Sequence, residues 1–132
     1  MTIVRLLLLL LVSSGCTSHA KPQTCGRKFC LPPKAEIISS RSPIEDFILY
    51  EVEWNGSSIS IYEGNHPSRE KVALKQLVTP IDRNAQFYES DGKANVIIEV
   101  GGQWPQYIQV KSECDPVQNC SAIKLAGQLK PR

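Results

Sequence analysis

Apolar and polar residues alternate with a period of two on both sides of Asn55-Gly56, within residues 46–64. Asn-Gly is a strong signal for a type I′ hairpin turn, because both central residues of that turn need φ > 0. With this turn, the flanking residues pair like with like. One face is apolar and the other is polar: Tyr50, Val52, Ile59 and Ile61 against Glu51, Glu53, Ser58 and Ser60. A shift of one residue would oppose apolar to polar groups, so the pattern predicts this register.

Further short alternating segments predict an antiparallel meander of about five strands. Asp91-Gly92 is a second hairpin turn, which places Phe87 opposite Val96 and Ala85 opposite Ile98. The other candidate strands are residues 35–40 and 107–112, the latter with Ile108 and Val110 inward. Residues 69–78 fit both helical and strand spacing, and we interpret them as a short helix or an irregular crossover.

The C-terminal segment predicts one amphipathic helix. Its stripe of apolar residues has the spacing i, i+3, i+4, i+7, and Pro131 ends it: Ala122, Leu125, Ala126 and Leu129. Asp115 and Asn119 compete as the N-cap, and we prefer the later start. A helix on one face of an antiparallel meander makes the predicted fold class α+β.

The N-terminus has the pattern of a secretion signal. The apolar run 6–12 follows Arg5 and is far shorter than the ~20 residues of a membrane-spanning helix. Two cleavage sites compete: after Ala20, in Ser18-His19-Ala20, or before Cys16. Ser13-Ser14-Gly15-Cys16 resembles the lipobox of bacterial lipoproteins, although that family prefers Leu where Ser13 stands. The resemblance implies that residues 1–15 are a signal peptide and that Cys16 becomes a lipidated N-terminus.

The cysteine count agrees with the lipoprotein resemblance. Of five cysteines, four suffice for two disulfides in an oxidising compartment, which leaves Cys16 for the lipid. Four cysteines allow three connectivities. We expect the local pairs, because short separations close readily: Cys25–Cys30 and Cys114–Cys120. Their spacings match no common zinc site, so we expect no metal there.

The chain is therefore expected to have three parts. Residues 1–15 are the signal peptide, 16–34 hold the lipidated Cys16 and a basic tether, and 35–132 form one small α+β domain. In the lipoproteins that this N-terminus resembles, Asp after the lipidated Cys favours retention in the inner membrane. Thr17 occupies that place here. The resemblance thus implies a lipid anchor on the periplasmic face of the outer membrane.

Few residues fit a catalytic template. His66 is the only histidine after the tether, and no nucleophile elbow accompanies it. Glu51 and Glu53 share one strand face, where a solvated role is more usual than an active-site pair. The formal charge of +2 lacks the basic excess of nucleic-acid binding. We expect neither a cofactor nor a nucleic-acid partner.

Aromatic and polar residues beside the predicted turns form a possible binding surface: Tyr62, Asn65, His66, Trp104 and Tyr107. We therefore expect a membrane-anchored periplasmic lipoprotein with a non-catalytic binding or accessory domain. Its partner would be an envelope protein or peptidoglycan. Two alternatives remain: a small envelope hydrolase that uses His66, and an immunity or inhibitor lipoprotein that blocks a foreign enzyme.

The lipid anchor makes the first testable prediction. Replacing Cys16 by Ser removes the thiol that would carry the lipid, so the protein should move from the membrane fraction to the soluble fraction. Immunoblotting of envelope fractions washed with high salt measures this. A Cys16→Ser protein that still sediments with membranes would show that the anchor is not a lipid on Cys16.

Overall fold

The computed structural model describes Gly15 and residues 22–69, 75–114 and 120–132. Cys16 and residues 1–14 of the predicted signal peptide lie outside these residues. Seven antiparallel strands form one sheet: β2 (Glu36–Arg41), β3 (Phe47–Trp54), β4 (Ser57–Gly64), β5 (Lys75–Leu77), β6 (Ala85–Ser90), β7 (Lys93–Glu99) and β8 (Tyr107–Glu113). A two-stranded ribbon pairs β1 (Phe29–Cys30) with β9 (Lys130–Pro131), and α1 spans Ser121–Ala126.

Both predicted hairpins are confirmed. In β3–β4, Trp54 pairs with Ser57 and Tyr50 with Ile61, and the turn residues Asn55 and Gly56 have φ of 50° and 76°. In β6–β7, Phe87 pairs with Val96 across the Asp91-Gly92 turn. Turn chemistry and side-chain alternation specify the same register at both sites, so local sequence was sufficient to predict them.

The predicted α+β fold class agrees with the structure, but the prediction of a single meander of about five strands was wrong. The sheet order is β2-β3-β4-β8-β7-β6-β5, so β4 lies beside β8 and β5 lies at the far edge. The chain therefore forms two meanders that meet at the β4–β8 pair. The preferred helix or crossover at residues 69–78 was also wrong in part, because Lys75–Leu77 is a strand paired with β6. Residues 70–74 lie outside the described part of the chain.

The core lies between one face of the sheet, here called the core face, and a layer made of α1 and the β1–β9 ribbon. Fully buried residues of β4, β7 and β8 contribute most of the core face: Ile59, Ile61, Val96, Ile98, Ile108 and Val110. α1 buries Ala122, Leu125 and Ala126 against it. In the described residues, no helix has the length and apolarity to cross a membrane.

The C-terminal helix is shorter than predicted, although its late start after Cys120 agrees with the expectation. It ends at Ala126, and Gly127 donates its N–H to the Ile123 carbonyl at 3.1 Å. Pro131 does not stop the helix, because Lys130–Pro131 already form strand β9. Leu129, the last residue of the predicted stripe, is buried beyond the helix end.

The predicted tether includes residues that belong to the core. Phe29 is 0% exposed and Leu31 is 2% exposed. The Phe29 ring packs edge-on against Tyr50, with 5.4 Å between ring centroids. The predicted boundary at residue 35 therefore separates these apolar residues from the core that they help to fill.

Two disulfides join the expected pairs, Cys25–Cys30 and Cys114–Cys120. Their Cα atoms lie 4.0 Å and 4.9 Å apart, respectively. The first bond closes a small loop that leads into β1. The second joins the end of β8 to the residue before α1, so it holds the helix at the end of its neighbouring strand.

The hairpin turn gives a direct test of the fold. A Cβ at Gly56 would meet no atom within 4 Å, but φ is +76° there. The Gly56→Ala variant should therefore lose about 1 kcal/mol of unfolding free energy from backbone strain alone. Denaturant unfolding measures it. Gly127→Ala is the matched control: its φ is −67°, so that variant should keep or slightly gain stability. Equal losses in both variants would contradict the type I′ turn.

Candidate functional site

Three strands and two loops meet at one end of the sheet, here called the loop end. Phe47 begins β3 and pairs with Gly64 at the end of β4, and Gly64 also pairs with Tyr107 at the start of β8. The loop 100–106 precedes β8. The loop closed by Cys25–Cys30 reaches the same end, because the backbone of Lys28 contacts Glu63, the neighbour of Gly64.

All five residues of the predicted binding surface lie at the loop end. The Tyr62 hydroxyl accepts a hydrogen bond from the His66 backbone N–H at 2.9 Å, which folds the chain back after β4. The Asn65 side-chain oxygen accepts one from the Gln106 backbone N–H at 3.0 Å. Trp104 donates its indole N–H to the Asp46 carbonyl at 3.0 Å. These bonds tie three separate loops to one another.

Two arginines complete this surface, although no pattern in the sequence links them to the five predicted residues. The Arg27 guanidinium lies 5.2 Å from the centroid of the Trp104 ring, and that of Arg69 lies 5.0 Å from the Tyr107 ring. Both distances fall within the range of attractive cation–π contacts. We call the seven residues the arginine–aromatic surface: Arg27, Tyr62, Asn65, His66, Arg69, Trp104 and Tyr107.

A buried carboxyl group holds the Cys25–Cys30 loop in place. Glu63 is 0% exposed, and its Oε1 and Oε2 accept hydrogen bonds from the backbone N–H groups of Arg27 and Lys28 at 2.9 Å and 2.8 Å. Tyr50 donates its hydroxyl to Oε1 at 2.5 Å. The two backbone bonds fix the start of the Arg27 side chain, which in turn lies over Trp104.

The burial of Glu63 could have been predicted from its position in the alternating pattern of β4. It follows Ile59 and Ile61 at a spacing of two, so it points to the core face of β4. A charged residue in an apolar phase needs partners, since a buried polar group without hydrogen bonds is costly. The sequence does not show that the partners are backbone groups of a distant loop.

The loop approaches Glu63 closely at Gly26. A Cβ at this position would lie 2.6 Å from Glu63 Oε1 and would also overlap the Phe29 ring. Arg132 donates a guanidinium N–H to the Gly26 carbonyl at 2.7 Å, which fastens the C-terminal segment to the same loop. Gly26 is thus required by a close approach and not by its backbone angles.

Burial raises the pKa of the Tyr50 hydroxyl, and the hydrogen bond to Glu63 raises it further. Both effects disfavour the phenolate, so Tyr50 remains a hydrogen-bond donor under ordinary conditions. A tyrosine that served as a general base would need the opposite shift. The Tyr50–Glu63 pair therefore has the chemistry of a structural anchor.

The face of the sheet opposite the core, here called the outer face, carries the connection that leaves β4. Ser68 and Gln109 exchange two hydrogen bonds, from the Ser68 N–H at 2.9 Å and from the Gln109 amide at 3.2 Å. Gln109 also donates to Asn95 at 2.9 Å. These buried amides attach the segment before Arg69 to the middle of the sheet, which positions Arg69 beside Tyr107.

A polar pocket of about 190 Å³ adjoins Arg69 and Tyr107 on the outer face. Its lining also includes residues of β5, β6 and the turn between them: Gln76, Asp82, Asn84 and Gln86. Pockets that enclose a small-molecule ligand are usually 300–1,000 Å³. This pocket has the size for a single protruding side chain and not for a whole metabolite.

Two residues considered for catalysis, His66 and Glu51, are both exposed. His66 is exposed, and its hydrogen bond to Tyr62 uses only its backbone. No group of three or more His, Cys, Asp or Glu side chains there could hold a metal ion. Glu51, exposed on β3, accepts a hydrogen bond from the Ser60 hydroxyl at 3.0 Å.

No protein-family model, curated protein or solved structure matches the chain.

The Glu63 anchor predicts a strong effect on stability. Glu63→Gln places an amide N–H₂ where backbone N–H groups now donate, which leaves at least one buried donor without an acceptor. We expect a loss of about 2–3 kcal/mol in unfolding free energy. The control is Glu53→Gln, an exposed residue of β3, which should change stability by less than about 0.5 kcal/mol. Denaturant titration distinguishes them, and similar values for both would refute the anchor.

Proposed function

We propose that the protein is a lipid-anchored, non-catalytic binding domain on the periplasmic face of the outer membrane. The signal and Cys16 supply the anchor, and the arginine–aromatic surface supplies recognition. The observation that carries the proposal is the pairing of Arg27 with Trp104 and of Arg69 with Tyr107 at one end of the sheet. Trp, Tyr and Arg are the residue types that dominate the binding energy of protein interfaces.

Preorganisation supports this role for the surface. Trp104 is held by Asp46, Asn65 by Gln106, and the backbone of Arg27 by Glu63. A surface that is already ordered loses little conformational freedom when a partner binds. The hydrogen bonds join loop to loop, so the surface keeps its shape without a ligand.

The chemistry of the surface favours a protein partner with exposed acidic side chains. Two guanidinium groups beside flat aromatic rings suit carboxylates, which arginine binds through paired hydrogen bonds. The adjoining pocket, which Asp82 and Glu99 also line, has room for one protruding side chain that is not itself acidic. An envelope protein offers acidic side chains for the arginines and a protruding side chain for the pocket. Recovery of peptidoglycan instead of a protein in the experiment below would contradict this choice of partner.

The test is in-cell crosslinking of the tagged, lipidated full chain, followed by pull-down from its own envelope. Arg27→Ala removes the guanidinium but keeps the backbone N–H that Glu63 accepts, so the loop stays in place. We expect it to lower recovery of the partner protein at least about fivefold, the effect of losing ~1 kcal/mol at an interface hot spot.

Arg83→Ala serves as the matched control, because Arg83 is an exposed turn residue that lies outside the arginine–aromatic surface. It should recover the partner as well as the unaltered protein does. Equal recovery with Arg27→Ala and Arg83→Ala would refute recognition by this surface. Turnover of an envelope substrate that His66→Ala abolishes would establish the hydrolase alternative in its place.

A further inference from the structure

Charge is divided unequally between the two layers of the fold. The segments 22–36 and 120–132, which include the ribbon and α1, carry six Lys or Arg and one acid, a formal net charge of +5. Residues 37–119, which include the seven-stranded sheet, carry seven Lys or Arg and twelve acids, a net charge of −5. The small net charge of the whole chain hides this division.

The positive charge is accessible on the ribbon and its flanks. Lys34, Lys130 and Arg132 are exposed, and Lys28 is half-buried. Pairing of β1 with β9 brings the two segments together, since Cys30 lies opposite Lys130 and the Arg132 N–H contacts the Lys28 carbonyl. Two distant basic segments thus become one basic surface.

A groove of about 580 Å³ runs beside this ribbon. Its wall is mainly apolar, with Leu31, Pro32 and Ala35 at its base and Pro22 at the point where the described chain begins. Its charged lining residues are Lys34, Lys130 and one acid, Glu36, so the cations are in excess. Apolar surface bordered by lysines matches the boundary between lipid headgroups and acyl chains, where lysine places its charge outward.

The distance to the anchor supports a membrane as the occupant of this surface. Five residues lie between Cys16 and Pro22, and an extended chain over those six Cα–Cα steps reaches about 20 Å. A lipid on Cys16 would therefore hold the groove near the headgroups.

Tyr62 and Tyr107 lie on the outer face, because β4 and β8 direct Ile61 and Ile108 to the core face.

We propose that the ribbon, with Lys34 and Lys130 beside its groove, docks on anionic phospholipid headgroups of the leaflet that carries the anchor. This inference rests on the proposed lipid anchor and deepens it. Docking turns the outer face, with Tyr62, Tyr107 and the small polar pocket, away from the bilayer. The lipid supplies attachment, and the basic ribbon supplies orientation.

The test uses a chain that starts at Thr17 and so lacks the lipid. It retains the whole described core, whose most N-terminal buried apolar side chain is Phe29. Binding is measured by flotation with vesicles of phosphatidylcholine alone, or with about one third phosphatidylglycerol. We expect binding to the anionic vesicles only, and its loss in about 1 M salt, where charges are screened beyond ~3 Å.

The double variant Lys34→Gln/Lys130→Gln should weaken vesicle binding roughly 25-fold, since each cation near an anionic surface contributes about fivefold. Lys93→Gln/Lys111→Gln is the matched control. It removes the same charge from the outer face of β7 and β8, which docking turns away from the bilayer, so it should bind normally. Equal binding to neutral vesicles, or equal weakening by both double variants, would overturn the proposal.

These outcomes are distinguishable from failure of the lipid anchor. Headgroup docking is removed by high salt, whereas an acylated protein stays with the membrane in high salt. Suppose that the chain starting at Thr17 binds anionic vesicles, but the Cys16→Ser protein stays with the membrane after the salt wash. These results would support docking on headgroups and would contradict a lipid on Cys16. A soluble acidic protein that alone captures the ribbon would instead reject docking on lipid.

Discussion

The structure depends on one buried carboxyl group whose partners come from far along the chain. Glu63 occupies an apolar position of β4 and accepts backbone hydrogen bonds from a disulfide-closed loop and a hydroxyl bond from Tyr50. Without those donors, a buried carboxyl would be strongly unfavourable. The loop therefore stabilises the sheet by supplying these donors, and Glu63 in turn holds the loop in place. Its position brings Phe29 into the core and Arg27 over Trp104.

The same anchor joins the two ends of the described chain. The Cys25–Cys30 loop leads into β1, and β1 pairs with β9 after α1. Arg132 adds a side-chain bond to the Gly26 carbonyl. The layer over the core face is thus built from sequence segments that have no local reason to meet. This arrangement brings the two basic segments together in one layer, and it places Arg27 in the candidate recognition surface.

Sequence was sufficient where the determining interactions are local. The Asn55-Gly56 turn and the alternation around it specified one register, and short spacing favoured the disulfide pairs that the structure contains. It failed for the sheet order, because alternation shows which face a residue occupies but not which strand lies beside it. β9 was missed for another reason: two residues are too few to show a period, and Lys130–Pro131 directly follow the apolar stripe that predicted a helix.

The two edges of the open sheet bear on its tendency to associate with other chains. β2 is an outer strand whose register shifts between Ile37 and Ser39, and the other outer strand, β5, has only three residues. Unpaired edges template the addition of further chains, and bulges, shortness and charge interrupt that addition. Arg41 and Lys75 place a cation on each edge strand. The sheet therefore resists the edge-to-edge addition of further chains, which is the first step of β-aggregation.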